Sequence, residues 1–208
     1  MESHFLAIVS RMKYIERWAL MRNSRPENLS EHAMDVAMIA HTLCVIGNVR
    51  YGKQLDAEKA ALIALYHDAS EIITGDMPTP VKYANGVIRD AYKKVEADAV
   101  DRLLAQLPED LRPVYAGILH EPADGGEQAG QTEEDAAERE LRALVKAADK
   151  LSALIKCTEE EAAGNTEFRT AALSTRKKLD EIAAKSPEVR DFMRDFLPSY
   201  GKTLDELL

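Results

Sequence analysis

Cysteine is scarce in this chain, which has only Cys44 and Cys157 among its 208 residues. Each lies within a helical pattern, and no CxxC spacing occurs. A disulfide framework and a thiolate zinc site are therefore excluded as organising features. The sequence predicts two buried free thiols in a protein of a reducing compartment.

Positive charge is also in short supply, since 27 Lys and Arg face 36 Asp and Glu and the net charge is −9. Broad binding to a nucleic-acid polymer or an anionic membrane needs a basic face, so this balance argues against both partners. It leaves room for a small anionic substrate, because one local cluster of Arg or Lys is enough to bind it.

Long hydrophobic runs are missing as well. The apolar stretch from Ala33 to Ile46 is broken by Asp35, His41 and Thr42 and is too short to span a bilayer. The first five residues show no basic segment leading into an apolar one, so we expect no signal peptide. These features predict a cytoplasmic protein without a membrane partner.

Alternating β-branched runs are absent too, so the sequence predicts an all-α helical bundle without a sheet. We expect one domain over residues 1–208, with a flexible Gly-rich surface loop at about 122–131, a Pro-containing loop at 75–80 and a basic, Trp-tipped turn at 18–29. Apolar periodicity and candidate caps predict helices at 4–17, 30–47 with Ser30 as N-cap, 57–73 with Asp56 as N-cap, 86–107, 108–120, 133–163, 166–185 and 187–197, and a short final helix.

A His-Asp pair at the end of an apolar run is the first sign of chemistry. His67 and Asp68 follow the apolar residues 60–65, where polar side chains are unfavourable without a partner. A divalent metal is the simplest partner for imidazole nitrogen and carboxylate oxygen. Glu71 lies four residues after His67, so a helix would place both on one side.

Two further residues extend this set. His32 falls on the inward face of its predicted helix, and Asp149 lies at the edge of the apolar stripe of the 133–163 helix. Alone, His32 reads as a hydrogen-bonded core histidine and Asp149 as a salt-bridging rim residue. Taken together with His67 and Asp68, they supply two imidazoles and two carboxylates to one metal centre.

The order of these residues resembles that of the HD superfamily of metal-dependent phosphohydrolases. Further motifs are similar to those of the bacterial HD-domain 5′-deoxynucleotidases of the YfbR type, and the resemblance covers nearly the whole chain. The matching segments are Arg17-Trp18, Met21-Arg22-Asn23, Ser30-Glu31-His32, Tyr66 to Glu71, Thr74 to Tyr83, and Glu159 to Asn165. Two departures are the long Gly-rich stretch at 122–131 and Met77, where the family pattern has Leu.

The resemblance implies an HD-domain helical bundle that hydrolyses deoxyribonucleoside 5′-monophosphates to deoxynucleoside and phosphate, and a homodimer. It implies one divalent metal ion, with Co²⁺, Mn²⁺, Zn²⁺, Mg²⁺ and Fe²⁺ all left open. The metal ligands implied are His32, His67, Asp68 and Asp149, of which His32, Asp68 and Asp149 also border the substrate.

The resemblance also assigns substrate and catalytic roles. Arg17 is expected to orient the phosphate, and Trp18 to crowd the sugar 2′ position and so disfavour ribonucleotides. Glu71 and Asp76 are the expected acid-base groups, and the sequence does not divide the two proton transfers between them. The pocket lining is expected to be Asp76, Met77, Pro78 and Thr79.

Three alternative functions remain open at this point. Two are other HD phosphohydrolase activities, namely dNTP triphosphohydrolase and guanosine-tetraphosphate hydrolase. A triphosphate substrate should need more basic residues near the site than Arg17, Arg22, Arg25 and Lys82 offer. The third is a catalytically silent regulatory HD domain, but such domains typically lose metal ligands, and all four positions are filled here.

Overall fold

The computed structural model describes residues 2–82, 84–120 and 132–208, with the side chains of Thr79 and Pro80 also outside the description. The loop expected at about 122–131 therefore lies outside the described residues. The elements in chain order are α1 (Phe5–Val9), a 3-10 turn (Ser10–Tyr14), β1 (Glu16–Arg17), β2 (Glu27–Asn28), α2 (Leu29–Tyr51), α3 (Ala57–Tyr66), α4 (Glu71–Thr74), α5 (Thr79–Lys82), α6 (Gly86–Leu104), α7 (Arg112–Leu119), α8 (Glu133–Ala162), a 3-10 turn (Thr166–Phe168), α9 (Arg169–Ala183), α10 (Pro187–Asp195), a 3-10 turn (Leu197–Ser199) and α11 (Leu204–Leu207).

Helix α2 is the centre of this bundle and confirms the all-α prediction. It packs against α3, α8 and α10, and residues such as Val36, Leu43 and Cys44 are fully buried. Among the described residues, one helix, α2, is long and apolar enough by composition to cross a membrane. However, 56% of its most apolar 18-residue segment is buried inside the protein. A helix that is apolar on most sides is expected at the core of a bundle.

The helix predicted at 57–73 is wrong in its second half. Helix α3 ends at Tyr66, and residues 67–70 form turns in which the N–H of Ala69 bonds to the carbonyl of Tyr66 and that of Glu71 to Asp68. Ala69 is fully buried in a second apolar cluster around Phe5 and Leu103, which draws the chain away from the helix axis. Glu71 thus begins a new short helix, α4, instead of continuing the face of His67.

The prediction of a helix over 4–17 and of no sheet is also wrong. After α1 and one 3-10 turn, Glu16–Arg17 pairs antiparallel with Glu27–Asn28, with Arg17 opposite Glu27. This pair, called the hairpin below, encloses the basic turn at 18–26. Two-residue strands are too short to show a period of two, so a periodicity argument cannot detect them.

Proline positions account for two smaller corrections. The loop predicted at 75–80 ends early, because Thr79 starts α5 and Pro80 occupies its first turn, where proline is tolerated. The helix predicted from Pro108 begins at Arg112 instead, with Pro113 in the first turn. The 133–163 prediction is confirmed by α8, which ends just before Gly164, a left-handed residue with φ +83°.

The N-cap of α2 is Asn28, and the predicted cap Ser30 lies inside the helix. The Asn28 side chain accepts hydrogen bonds from the N–H groups of Ser30 and Glu31, and the Glu31 carboxylate accepts one from the Asn28 N–H. This capping box fixes the start of the helix one turn before His32.

We expect Asn28→Ala to lower the free energy of unfolding by about 1 kcal/mol, because it leaves two amide donors without their cap. Ser30→Ala is the matched control and should change stability by less than about 0.5 kcal/mol. Urea unfolding of both variants measures the difference. A larger loss in Ser30→Ala than in Asn28→Ala would contradict the assignment of the cap.

Candidate active site

Three helices bring the four predicted metal ligands together. His32 lies in the first turn of α2, His67 and Asp68 follow α3, and Asp149 lies in the middle of α8. One ligand atom each from His32, His67 and Asp68 lie within 4.8 Å of one another. The Nε2 atom of His32 is also 3.2 Å from Oδ1 of Asp149, which places the fourth residue beside this group.

Both imidazoles are held through Nδ1 and present Nε2 to the centre. Nδ1 of His32 is 3.1 Å from the Ser152 hydroxyl, and Nδ1 of His67 is 2.7 Å from the Ala64 carbonyl. The carbonyl can only accept, so Nδ1 of His67 carries a proton. Fixing one ring nitrogen so that the other can bind a metal is the usual arrangement around a metal ligand.

Charge at this centre favours a cation. Burial lowers the pKa of His32 to about 4, so its ring is neutral and keeps a lone pair. Burial alone would raise the pKa of Asp149 and Asp68, but contacts with the two histidines outweigh it and hold both values below the ordinary range. Burial also opposes charge on His67, yet Asp68 raises the pKa of His67 to about 9. The two carboxylates therefore draw positive charge into a buried site.

Unsatisfied buried atoms test whether these residues fit a metal. Among the described residues, six buried side-chain nitrogen or oxygen atoms have no hydrogen-bond partner. Four of them belong to this site, namely Nη1 of Arg17, Nε2 of His32, Nε2 of His67 and Oε2 of Glu71. Buried polar groups are normally paired, so this concentration indicates a site whose partners are a metal and a ligand. The donor set fits a divalent cation.

The predicted catalytic groups lie next to the centre. Arg17 has a side chain only 13% exposed, and its Nη2 is 4.0 Å from Oδ1 of Asp149. Glu71 is buried, and burial together with Asp68 and Asp76 raises its pKa to about 9. Burial also raises the pKa of Asp76, against the opposing effect of Arg17. With that pKa, Glu71 can hold a proton at neutral pH and exchange it with a bound group.

Trp18 adopts an unusual backbone conformation beside Arg17. Its φ is +57°, in the left-handed region that bulky residues rarely occupy, which is typical of functional sites. Its indole N–H donates to Oε2 of Glu27 at 3.2 Å, and its ring meets Phe168 edge-on at 5.4 Å. The other predicted pocket residues are less informative: Met77 is half-buried, Pro78 is exposed, and the side chain of Thr79 is not described.

The turn after Trp18 is tied to α8 by a buried carboxylate. Glu160 accepts hydrogen bonds from the N–H groups of Ser24 and Arg25 and from the side chain of Asn165, and it pairs with Lys156. Burial alone would raise the pKa of Glu160, but these donors, with Lys156 foremost, lower it to about 2. The helix that carries Asp149 therefore also fixes the turn next to Arg17 and Trp18.

Sequence reasoning assigned no role to three residues that support the site, although Glu160 lies in one of the segments that resemble the family. Ser152 lies one helical turn after Asp149, so its polar side chain on the apolar stripe of α8 was an available signal. Glu160 was an available signal too, as a carboxylate within the same helix. Glu27 gave none, because its position opposite Arg17 depends on the strand register.

Comparison with known proteins places these residues in context. A family described as "5′-deoxynucleotidase YfbR-like" matches residues 4–200. Two relatives named 5′-deoxynucleotidase YfbR, from Salmonella typhi and Escherichia coli (strain K12 / DH10B), are each 46% identical over 206 residues, covering 99% of this chain and 96% of theirs.

Solved structures show the same fold. An HD-domain phosphohydrolase from Listeria innocua matches with a TM-score of 0.75 and 22% identity, covering 95% of this chain and 88% of its own. The cyanophage S-2L HD phosphohydrolase DatZ, bound to dA and one catalytic Zn²⁺ ion, matches with a TM-score of 0.61 and 21% identity. The match covers 95% of this chain and 96% of DatZ.

We expect His32→Ala to weaken metal binding by more than about 100-fold, since loss of a residue that merely orients a ligand already costs 10- to 100-fold. His41→Ala is the matched control, because His41 lies on the same helix but is exposed. Titration of metal-stripped protein with Co²⁺, followed by absorbance and calorimetry, measures both. Equal affinity of the two variants would exclude His32 as a ligand.

Proposed function

The chain belongs to the YfbR-like 5′-deoxynucleotidase family, and we propose that it is a metal-dependent hydrolase of deoxyribonucleoside 5′-monophosphates that releases deoxynucleoside and phosphate. The observation that carries this proposal is that four buried atoms without a hydrogen bond among the described residues, from Arg17, His32, His67 and Glu71, belong to this one site. The guanidinium lacks an anion, the two imidazole nitrogens lack a cation, and the Glu71 carboxyl lacks a group with which to exchange a proton. Phosphate monoester hydrolysis by a metal enzyme supplies all three.

The metal site is proposed to consist of His32, His67, Asp68 and Asp149. A divalent metal bound there would offset the charge of the phosphate and acidify water. Once the ion has displaced the proton of His67, two neutral imidazoles and two carboxylates would balance its charge. The cyanophage relative holds Zn²⁺, but Co²⁺, Mn²⁺, Mg²⁺ and Fe²⁺ also accept these ligands, so the identity of the ion is left to experiment.

The residues around the metal site have separate proposed roles. Arg17, whose Nη1 has no hydrogen-bond partner among the described residues, would bind the phosphate, since a guanidinium can bond two oxygens at once. Glu71 and Asp76, whose pKa values are raised by burial, exchange protons with the attacking water and the leaving O5′. Met77, Pro78 and Thr79 are proposed to line the nucleoside side of the pocket.

Sugar selection is proposed to be steric. An indole fixed close to the sugar can reject a 2′-hydroxyl by lack of space, whereas attraction alone cannot easily favour its absence. Trp18 is suited to this role because its backbone and its indole are both constrained. Ribonucleotides would then be poor substrates.

We expect metal-stripped protein to release phosphate from dAMP only after addition of Co²⁺, Mn²⁺, Mg²⁺ or Zn²⁺, and to act weakly on AMP. Glu71→Gln should lower kcat by about 10²- to 10⁴-fold, the usual size of an acid-base contribution. Glu58→Gln, an exposed carboxylate on α3, is the matched control. Phosphate release with dAMP and AMP in parallel measures both effects.

The other outcomes identify the rival functions. Equal release from dAMP and AMP would keep the hydrolase and exclude sugar selection by Trp18. Release from dNTPs or guanosine tetraphosphate, with none from dAMP, would favour the other HD phosphohydrolases. No hydrolysis of any substrate with any metal would favour a silent regulatory domain.

We also propose a cytoplasmic, single-domain protein that forms a homodimer. Helix α2 carries an exposed apolar stripe of Met34, Met38, Val45 and Val49, which are 52%, 56%, 39% and 78% exposed. These positions fall on one side of a helix with 3.6 residues per turn. Pairing of two copies along this stripe would remove it from water.

We expect the protein to have twice its chain mass of 23.1 kDa in solution, and Met38→Glu to reduce it to one chain, since two buried charges would face each other. Light scattering after size exclusion measures the mass. Val114→Glu is the control, because Val114 is 65% exposed on a different helix. A monomeric wild type, or a dimeric Met38→Glu, would contradict pairing through this stripe.

A further inference from the structure

One largely buried carboxylate, that of Glu27, contacts two residues of the proposed substrate site. Oε2 of Glu27 accepts the indole N–H of Trp18 at 3.2 Å and lies 3.6 Å from Nη1 of Arg17. Glu27 and Arg17 face each other across the hairpin, which puts both side chains on the same side of it. Their side chains are only 12% and 13% exposed, so solvent weakens this contact little.

The position of Trp18 needs such a contact. A bulky residue at φ +57° is held by its surroundings and not by its own preference. Its carbonyl accepts bonds from the N–H of Met21 and the side chain of Asn23, which fix the backbone. Glu27 is the hydrogen-bond partner of its indole within the described residues, and Phe168 supports the ring from its edge.

Arg17 and Lys156 favour a charged carboxylate here, but substrate binding and burial do not. A negative charge next to Arg17 opposes the binding of an anionic phosphate, and burial makes that charge unfavourable. Burial raises the pKa of Glu27, with Asp35 adding to the rise and with Arg17, Lys156 and Trp18 opposing it. Arg17 still keeps Nη1 without a hydrogen-bond partner among the described residues, so Glu27 holds the guanidinium without using up its donor.

We propose that Glu27 is a positioning residue for both phosphate binding and sugar selection, through Arg17 and Trp18. The inference rests on the proposed deoxynucleotidase function and adds a residue to it. Glu27 acts by fixing the indole at the sugar and the guanidinium at the phosphate.

Two substitutions separate these effects. Glu27→Ala removes both contacts, and we expect the ratio of kcat/KM for dAMP to that for AMP to fall about five- to tenfold, the size of one hydrogen bond. Glu27→Gln keeps an oxygen acceptor for the indole but loses the charge next to Arg17. It should keep the ratio within about twofold and raise KM for both substrates by about three- to tenfold, because losing the contact that holds the guanidinium outweighs removing a negative charge near the phosphate. Glu16→Gln, an exposed carboxylate of the same strand, is the matched control and should alter neither quantity.

A double-mutant cycle tests whether Glu27 acts through the indole. Trp18→Phe keeps an aromatic ring but lacks the N–H donor. If the contact sets sugar selection, Glu27→Ala added to Trp18→Phe should change the dAMP-to-AMP ratio by less than about twofold. An equal loss in both backgrounds would overturn the proposed action on Trp18.

Fluorescence gives a readout that does not depend on turnover, because Trp18 is the single tryptophan of the chain. In the metal-loaded enzyme, Glu27→Ala should increase quenching by acrylamide, while Glu27→Gln and Glu16→Gln should match the wild type. A thermal melt of each variant shows that it is folded. Unchanged quenching in folded Glu27→Ala would overturn the inference.

The kinetic outcomes separate this inference from the proposed function. A wild type without metal-dependent dAMP hydrolysis overturns both. If the wild type prefers dAMP and Glu27→Ala keeps the same dAMP-to-AMP ratio of kcat/KM, only the role of Glu27 is overturned. The same conclusion follows if Glu16→Gln lowers that ratio as much as Glu27→Ala does.

Discussion

The structure depends on two imidazoles, His32 fully buried and His67 partly buried, whose Nδ1 atoms are fixed and whose Nε2 atoms face two carboxylates. Ser152 and the Ala64 carbonyl set the orientation of His32 and His67, and the neighbouring acids hold positive charge between the helices. Helix α2 packs against both α3 and α8, and this position brings His32 in its first turn next to the end of α3 and the middle of α8. The apolar core and the polar centre are therefore positioned by the same helix.

The proposed site carries features that oppose stability. Buried polar atoms without partners and a bulky residue in the left-handed region each cost about 1–3 kcal/mol in ordinary surroundings. Here they meet at one place, around Arg17, Trp18 and Glu71. The bundle offsets them with its core and with the capping box of α2, and binding of a metal and a phosphate would satisfy the free atoms. Such an arrangement is expected where function and stability conflict.

Much of the fold could be predicted from the sequence, because long amphipathic helices such as α8 show a strong period of 3.6. The inward position of His32 followed from that period as well. The relation of Glu71 to His67 did not, since the turn at 67–70 is set by the burial of Ala69 against a distant part of the chain. The hairpin and the partnership of Arg17 with Glu27 depend on register between two-residue strands, which local sequence cannot specify. The clustering of His32, His67, Asp68 and Asp149 was thus predictable from order and spacing, whereas the contacts of Arg17 and Trp18 with Glu27 depend on tertiary structure.

Glu160 gives the turn near the site its own sensitivity to acid. Its pKa is about 2 in the folded protein and 4.5 in its ordinary state, so its ionisation stabilises the fold fully above pH 4.5 and loses that effect as the pH falls towards 2. The bonds that disappear on protonation are those that tie Ser24 and Arg25 to α8, not those of the apolar core. Strong acid would therefore weaken the tie between this turn and α8 and loosen the backbone next to Trp18.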